Sequence, residues 1–126
     1  MPAKHASQSA VEEARRLYDQ RRRRDEAFGP ALFGEPAWDL LLDLYIAASE
    51  PRPVSIVAAS IAASVSIEDA IRWLTVLEER GLVERLYAGS EMSRAIVTLS
   101  EAAFRQMTHL LKGRPDSSFG QSELDR

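Results

Sequence analysis

Residues 55–99 carry the pattern that most restricts how this chain can fold: two short helical stretches, then a glycine and two strand-like stretches. Ser55 is a good N-cap for a first helix, predicted at Ile56–Ala63. Ser66 has the same position before a second helix, predicted at Ile67–Arg80. Two helices joined by so short a turn form a helix-turn-helix.

A hairpin is predicted directly after the second helix, and it makes the motif a winged helix. Gly81 suits the left-handed residue that ends the helix. Leu82–Ala88 and Ser93–Leu99 then have the composition of two strands around the loop Gly89–Met92. The apolar residues expected to close the base of the core are Leu82, Leu86, Val97 and Leu99.

Three further helices are predicted around this motif, at Ser9 to about Phe28, Glu35 to Ser49, and about Glu101 to Leu111 after the cap Ser100. The resulting fold class is mainly α-helical with a small β-hairpin wing, a winged helix-turn-helix with flanking N- and C-terminal helices. The expected apolar faces are Val11, Ala14, Leu17 and Tyr18 in the first helix, Trp38, Leu41, Leu42, Tyr45 and Ile46 in the second, Ile67, Ala70, Ile71, Leu74 and Leu77 in Ile67–Arg80, and Ala103, Phe104, Met107, Leu110 and Leu111 in the last.

Length and composition allow one core and exclude several classes of function. The 126 residues contain no cysteine, which excludes disulfides, zinc fingers and thiol nucleophiles. His5 and His109 are too few and too far apart for a histidine-built metal site. No nucleophile–base pair or glycine-rich phosphate loop indicates an enzyme, so no cofactor is expected. No run approaches the roughly 20 apolar residues of a membrane span, and no signal peptide is recognised, so we expect a cytoplasmic protein.

The chain divides into four predicted parts. Residues 1–8 and 112–126 are expected to be disordered, because they are small, polar and without periodicity. Residues 9–34 form an N-terminal helix and connection, and residues 35–111 form the winged helix-turn-helix domain. A homodimer is expected, because the stripe on the first helix and the last helix leave apolar surface that a monomer would expose.

Charge is distributed unevenly along the chain, with a net +2 in residues 1–34 and −5 in residues 35–111. The run Arg21–Arg24 could hold a DNA backbone or an acidic partner. The alternative, which we favour, is a solvated helix face with internal ion pairs to Asp19, Asp25 and Glu26. Trp38 and Trp73 are expected as core and interface aromatics, and His109 as a packing or dimer-contact residue.

Three segments resemble MarR-type winged-helix transcription regulators. Residues 77–85, Leu-Glu-Glu-Arg-Gly-Leu-Val-Glu-Arg, resemble the end of the recognition helix and the first wing strand. Ala70–Leu74 is similar to the recognition-helix pattern, and Ile96–Ser100 to the second wing strand entering the last helix. The resemblance covers about residues 35–111.

The resemblance implies a homodimer held by its first and last helices and bound to double-stranded DNA. It implies a recognition helix, Ile67–Arg80, in the major groove and a wing, residues 86–95, at the backbone or minor groove. It often implies a small-molecule effector as well. The candidate DNA-binding residues are Ser55, Ser66, Glu68, Asp69, Arg72 and Arg94.

Two departures from the family pattern bear on this function. The family's Asp-x-Arg-Arg wing signature reads Glu91-Met92-Ser93-Arg94 here, so only Arg94 keeps the basic wing contact. The first turn of the recognition helix presents Glu68 and Asp69, which repel phosphate unless they accept a hydrogen bond from a base. Ser55 and Ser66 could donate to phosphate or serve simply as caps, and Arg72 could contact guanine or pair with a carboxylate of its own helix.

Two functions therefore remain open on the sequence. The first is a dimeric DNA-binding transcription regulator. The alternative is a winged-helix module that binds a protein partner, with weak or no DNA binding because of its acidic recognition-helix face.

Overall fold

The computed structural model describes residues 8–32, 34–86 and 95–112, which form five helices and a three-stranded antiparallel sheet. In chain order these are α1 Gln8–Phe28, α2 Pro36–Ser49, β1 Val54–Ser55, α3 Ile56–Ala63, α4 Ile67–Glu79, β2 Val83–Leu86, β3 Ile96–Leu99 and α5 Glu101–Lys112. The predicted fold class, a winged helix-turn-helix with flanking helices, is confirmed. The loop Gly89–Met92 lies outside the described residues, as do residues 1–7 and 113–126 of the start and tail expected to be disordered. The other two residues of those segments, Gln8 and Lys112, are helical, so the expectation is wrong for them.

Local capping sets the limits of the helix-turn-helix. The Ser55 hydroxyl accepts a hydrogen bond from the Ala58 amide at 3.0 Å, and α3 begins at the next residue. Ser64 ends α3 in the left-handed region, at φ 59°. Gly81 has a φ of 75° after α4, a conformation that glycine adopts without the steric cost of a Cβ atom.

The sheet has the strand order β1-β3-β2, so the returning strand of the hairpin lies in the middle. Val83 pairs with Leu99 and Leu86 with Ile96 across the hairpin. On the other edge of the sheet, Val54 pairs with Val97, a strand pairing that the sequence analysis did not predict. The sheet thus ties the segment before α3 to the hairpin.

The core is built around α2, whose buried side chains contact elements on several sides. Tyr45 is fully buried and stacks on Phe104 of α5, with ring centroids 4.8 Å apart. Its hydroxyl lies 2.7 Å from the Thr108 hydroxyl, which satisfies the polar end of the ring. Leu40 and Leu44 are also buried, although the predicted face of α2 did not include them. Burial of each such leucine contributes about 1.5–3 kcal/mol to stability.

Three of the apolar residues expected in the core or on the apolar faces of helices are at the surface of the protomer. Leu86 is 64% exposed, because the hairpin register places it with Ile96 on the sheet face opposite to Val83, which is buried. Leu110 is exposed while its neighbour Leu111 is buried in the protomer. Ile67, at the start of α4, is also exposed.

The expectation that Arg21–Arg24 is a solvated helix face is wrong for Arg21 and Arg22, although the expected internal ion pair between Arg22 and Asp25 does form, at 3.1 Å. Arg21 is only 8% exposed, and Ala10 and Ala14 are the other buried residues of α1. Arg22 is largely buried, with its side chain 20% exposed. The buried stripe of α1 therefore runs on into the arginine run, because α2 supplies a buried carboxylate opposite it.

Candidate nucleic-acid interface

Helix α4 is positioned with one face in the core and the opposite face in solvent. Ala70, Leu74 and Leu77 are buried. The side opposite them is exposed at Glu68, Arg72 and Glu79, as the helical period predicts. Ser66 fixes the first turn, because its hydroxyl accepts a hydrogen bond from the Asp69 amide at 3.1 Å. A helix packed on one side and polar and exposed on the other has the geometry that a groove-reading element needs.

Helix α4 has a net negative charge, because it contains four carboxylates and one guanidinium. Asp69 accepts a hydrogen bond from Arg72 one turn later, and the pair is solvent-exposed. Glu78 pairs with Arg85 of β2 at 2.5 Å, and Arg85 also donates to the Thr75 hydroxyl at 3.1 Å. Within the described residues Glu68 and Glu79 form no ion pair, so the outward face keeps negative charge.

The outward face of α3 differs from that of α4 because it is apolar. Helix α3 contains no charged side chain, and Ile61 is 73% exposed. Val57, one turn earlier on the same face, is also exposed. Trp73 of α4 is 37% exposed at the protomer surface, whereas Trp38 packs partly buried against the core.

The predicted DNA-binding residues fall into three groups. Glu68, Asp69 and Arg72 lie together on the first two turns of α4, just after the cap Ser66. Ser55 caps the other helix, so it begins α3. Arg94 lies outside the described residues, so the expected basic contact of the wing is not described. Both serines cap helices, and Arg72 pairs with Asp69, as the alternative interpretations anticipated.

A buried ion-pair network joins α1 to α2. Asp39, on the first turn of α2, is 1% exposed and accepts hydrogen bonds from both Arg21 and Arg22. The Arg22 bond is 2.8 Å long, and Glu35 lies 3.3 Å from Arg21. Burial alone would lower the pKa of Arg21, but the hydrogen bond and charge of Asp39 outweigh it and raise that pKa. The network therefore links α1 to the start of α2 through buried charged groups.

Sequence reasoning missed this network, although one signal for it existed. Arg21 follows Ala14 by seven residues, so it continues the buried stripe of α1. The other half of the network is Asp39, on the first turn of α2. Its partners are 17 and 18 residues away, and no local pattern pairs residues at that separation.

A cleft of about 260 Å³ lies between the end of α2 and the sheet. It is lined by apolar side chains that include Leu44, Leu86 and Ile96, with Arg52 among its few polar groups. Arg52 is already engaged by Asp43 at 3.3 Å and Glu50 at 3.1 Å. The cleft thus reaches Leu86, the last residue of β2.

The part of the chain that the structure describes contains neither a metal-binding cluster nor a membrane-spanning helix. No three histidine, aspartate or glutamate residues there come together as a metal site. No helix among residues 8–32, 34–86 and 95–112 is long and apolar enough to cross a membrane.

This is the architecture of a winged-helix protein: the helix-turn-helix of α3 and α4 is followed by the hairpin of β2 and β3, and α1, α2 and α5 pack around them. No protein-family model and no curated protein sequence matches the chain. Solved structures do match it, and they narrow the fold to the MarR type.

Three of these structures illustrate the similarity. The apo, haem-free form of PefR is 16% identical, with a TM-score of 0.53 over 87% of this chain and 98% of that one. MepR, a transcription regulator of a Staphylococcus aureus multidrug efflux pump, is 13% identical, with a TM-score of 0.51 over 84% of this chain and 74% of that one. NMB1585, a MarR family regulator from Neisseria meningitidis, is 12% identical, with a TM-score of 0.51 over 90% of this chain and 82% of that one. The chain has the MarR-type winged-helix fold.

Proposed function

We propose that this protein is a DNA-binding transcription regulator that acts as a homodimer. Helix α4 enters the major groove, and the wing, residues 86–95, lies at the backbone or minor groove. The observation that carries the proposal is the exposed polar face of α4, whose opposite face packs in the core and whose first turn is capped by Ser66. MepR is a transcription regulator and NMB1585 is a MarR family regulator, and both share the fold of this chain.

The acidic residues of α4 fit this function as base-reading groups. A carboxylate accepts a hydrogen bond from the amino group of cytosine, so Glu68 and Asp69 would favour particular bases. Arg72 would donate to guanine once its exposed pair with Asp69 opens, which costs little because exposed pairs contribute only about 0–1 kcal/mol. Phosphate affinity would come from Arg94 and from a second protomer. Selective but weak binding is the expected result.

Selection of bound sequences from random or genomic DNA, at low salt, tests the proposal. We expect enrichment of a two-fold symmetric site whose half-sites lie about one helical turn apart. Trp73 gives a direct signal, since Trp38→Phe leaves it as the only tryptophan, on α4. Its emission should change on titration with the selected site. No binding at micromolar protein to any fragment would overturn the proposal.

Glu68→Thr with Asp69→Thr decides how the acidic turn acts. If these residues read bases, the double variant loses affinity for the selected site and retains affinity for unrelated DNA. If they oppose DNA, the variant binds all DNA more tightly, and a protein-binding module becomes the better assignment. Glu26→Gln with Glu101→Gln changes the charge by the same amount at exposed positions outside α4, and it is the matched control.

A further inference from the structure

Two side chains of α1 reach the end of α3 and donate hydrogen bonds to the Ala62 carbonyl. The Tyr18 hydroxyl donates to the Ala62 carbonyl at 2.7 Å. The Arg22 guanidinium donates to the same carbonyl at 3.1 Å and to the Ser64 hydroxyl at 2.5 Å. The turn of the helix-turn-helix is therefore tied to a helix outside the motif.

A guanidinium suits this position for two reasons. The last carbonyls of a helix lack partners within it, and the helix dipole places partial negative charge there. The Ala62 carbonyl obtains both of its described donors from α1. Ser64 is held in the left-handed region, which a residue with a Cβ atom adopts only at a cost. Arg22 contacts its hydroxyl and so supports that conformation.

Arg22 is itself fixed from the other side. Its second terminal nitrogen lies 2.8 Å from the Asp39 carboxylate and 3.1 Å from that of Asp25. Its guanidinium carbon lies 5.2 Å from the centre of the Tyr18 ring. Because Asp39 belongs to the first turn of α2, the guanidinium connects α2 to the turn that precedes α4.

We propose that Arg22 is a positioning residue for DNA recognition: it fixes the turn of residues 64–66 and thereby the direction in which α4 presents Glu68, Asp69 and Arg72. The proposal rests on the function proposed above. Ser64 stands two residues before the α4 cap Ser66, so a shift at Ser64 moves the first turn of α4. A helix tilted in the groove loses base contacts before it loses phosphate contacts.

Arg22→Met tests this role, and Arg16→Met is the matched control on the same helix, since Arg16 forms an exposed pair with Glu13. In Arg22→Met we expect affinity for the selected site to fall about tenfold, as for the loss of one base contact from a misdirected α4. Affinity for unrelated DNA should fall less than twofold. Measurements well below the melting temperature keep nearly all protein folded, so a role in stability alone would not change either affinity.

Hydrogen exchange provides a readout that needs no DNA. The Val65 and Ala70 amides donate to Ser60 and Ser66 around the turn, while the Phe104 amide starts α5. We expect the first two to exchange about tenfold faster in Arg22→Met relative to Phe104, as tethering bonds are lost. Tyr18→Phe, which keeps the ring and removes one hydrogen bond, should give a smaller change in the same direction.

The outcomes separate the two proposals. A wild-type chain that binds no DNA overturns the proposed function, and the role of Arg22 in recognition falls with it. A wild-type chain that binds a selected site, together with an Arg22→Met variant of equal affinity for it, overturns the role of Arg22 alone. Unchanged exchange at Val65 and Ala70 also overturns that role. Partial recovery of site affinity by Arg22→Lys, with a single charged nitrogen, supports it.

Discussion

The α1–α2 junction and the outward face of α4 both carry arginine–aspartate pairs, yet water reaches the two regions very differently. Asp39 is buried with Arg21, whereas Asp69 and Arg72 are exposed. A buried pair is costly to break, because the remaining charge stays desolvated. An exposed pair opens at little cost. The junction is therefore suited to hold the fold, and the α4 face is suited to exchange its partners for those of a ligand.

Asp39→Ala should have the largest effect of the substitutions that separate these regions. It leaves buried Arg21 without its main carboxylate, and we expect the free energy of unfolding to fall by about 3–5 kcal/mol. Urea unfolding followed by circular dichroism measures the change. Asp19→Ala, at an exposed position of α1, is the control and should stay within about 0.5 kcal/mol of wild type. A loss below about 1 kcal/mol for Asp39→Ala would contradict the buried-network interpretation.

Ser66→Ala should have an intermediate effect, because it removes the side-chain cap of α4 and leaves the Asp69 amide without its acceptor. We expect a loss of about 1 kcal/mol in the free energy of unfolding. Thermal unfolding checks it, with the exposed Gln106→Ala of α5 as the control. An unchanged melting temperature would mean that α4 is fixed by packing alone.

Arg72→Ala should hardly change stability, since its pair with Asp69 is exposed on both sides. We expect a change within about 0.5 kcal/mol. The same urea titration as for Asp39→Ala gives a direct comparison between the two aspartate–arginine pairs. A loss as large as that of Asp39→Ala would erase the distinction between the regions.

Asp43→Asn should have the smallest effect, and its sign depends on pH. Burial raises the pKa of Asp43, against the lowering effect of Arg52. A carboxyl whose folded-state pKa lies above its unfolded value weakens the fold at neutral pH, and this penalty disappears as the pH falls through that pKa. The variant should melt slightly higher at pH 7, with the gain shrinking toward pH 4, about the ordinary pKa of aspartate. A gain that grows on acidification would reverse the sign.

Local signals account for what the sequence predicted well. The start of α3 follows from the cap at Ser55, the start of α4 from Ser66 and its end from Gly81, and each signal lies within a few residues of the boundary it sets. The exposed polar face of α4 followed from the helical period alone. These features required no knowledge of the neighbouring elements.

The errors arose where a distant partner decides the outcome. Leu86 is a large apolar residue, of the kind usually found in the core of a sheet, but the pairing register turns it to the outer face of the sheet. Arg21 is a charged residue, of the kind usually found in solvent, but its ion pair with the buried Asp39 places it in the interior. Periodicity reports which residues share a face, and only the packed neighbours determine whether that face meets apolar atoms, a charge or water.

The two-residue strand β1 has a mechanical consequence. Ser55 ends β1 and also caps α3, while the Ile56 amide donates to the Ala95 carbonyl at 3.1 Å, just before β3. Tension applied at the hairpin would thus travel into the first turn of α3 through main-chain bonds. Side-chain replacements in the hairpin would leave these main-chain bonds intact, whereas Ile56→Pro, which has no amide hydrogen to donate, would remove the bond to Ala95 and leave only the pairing of β1 with β3.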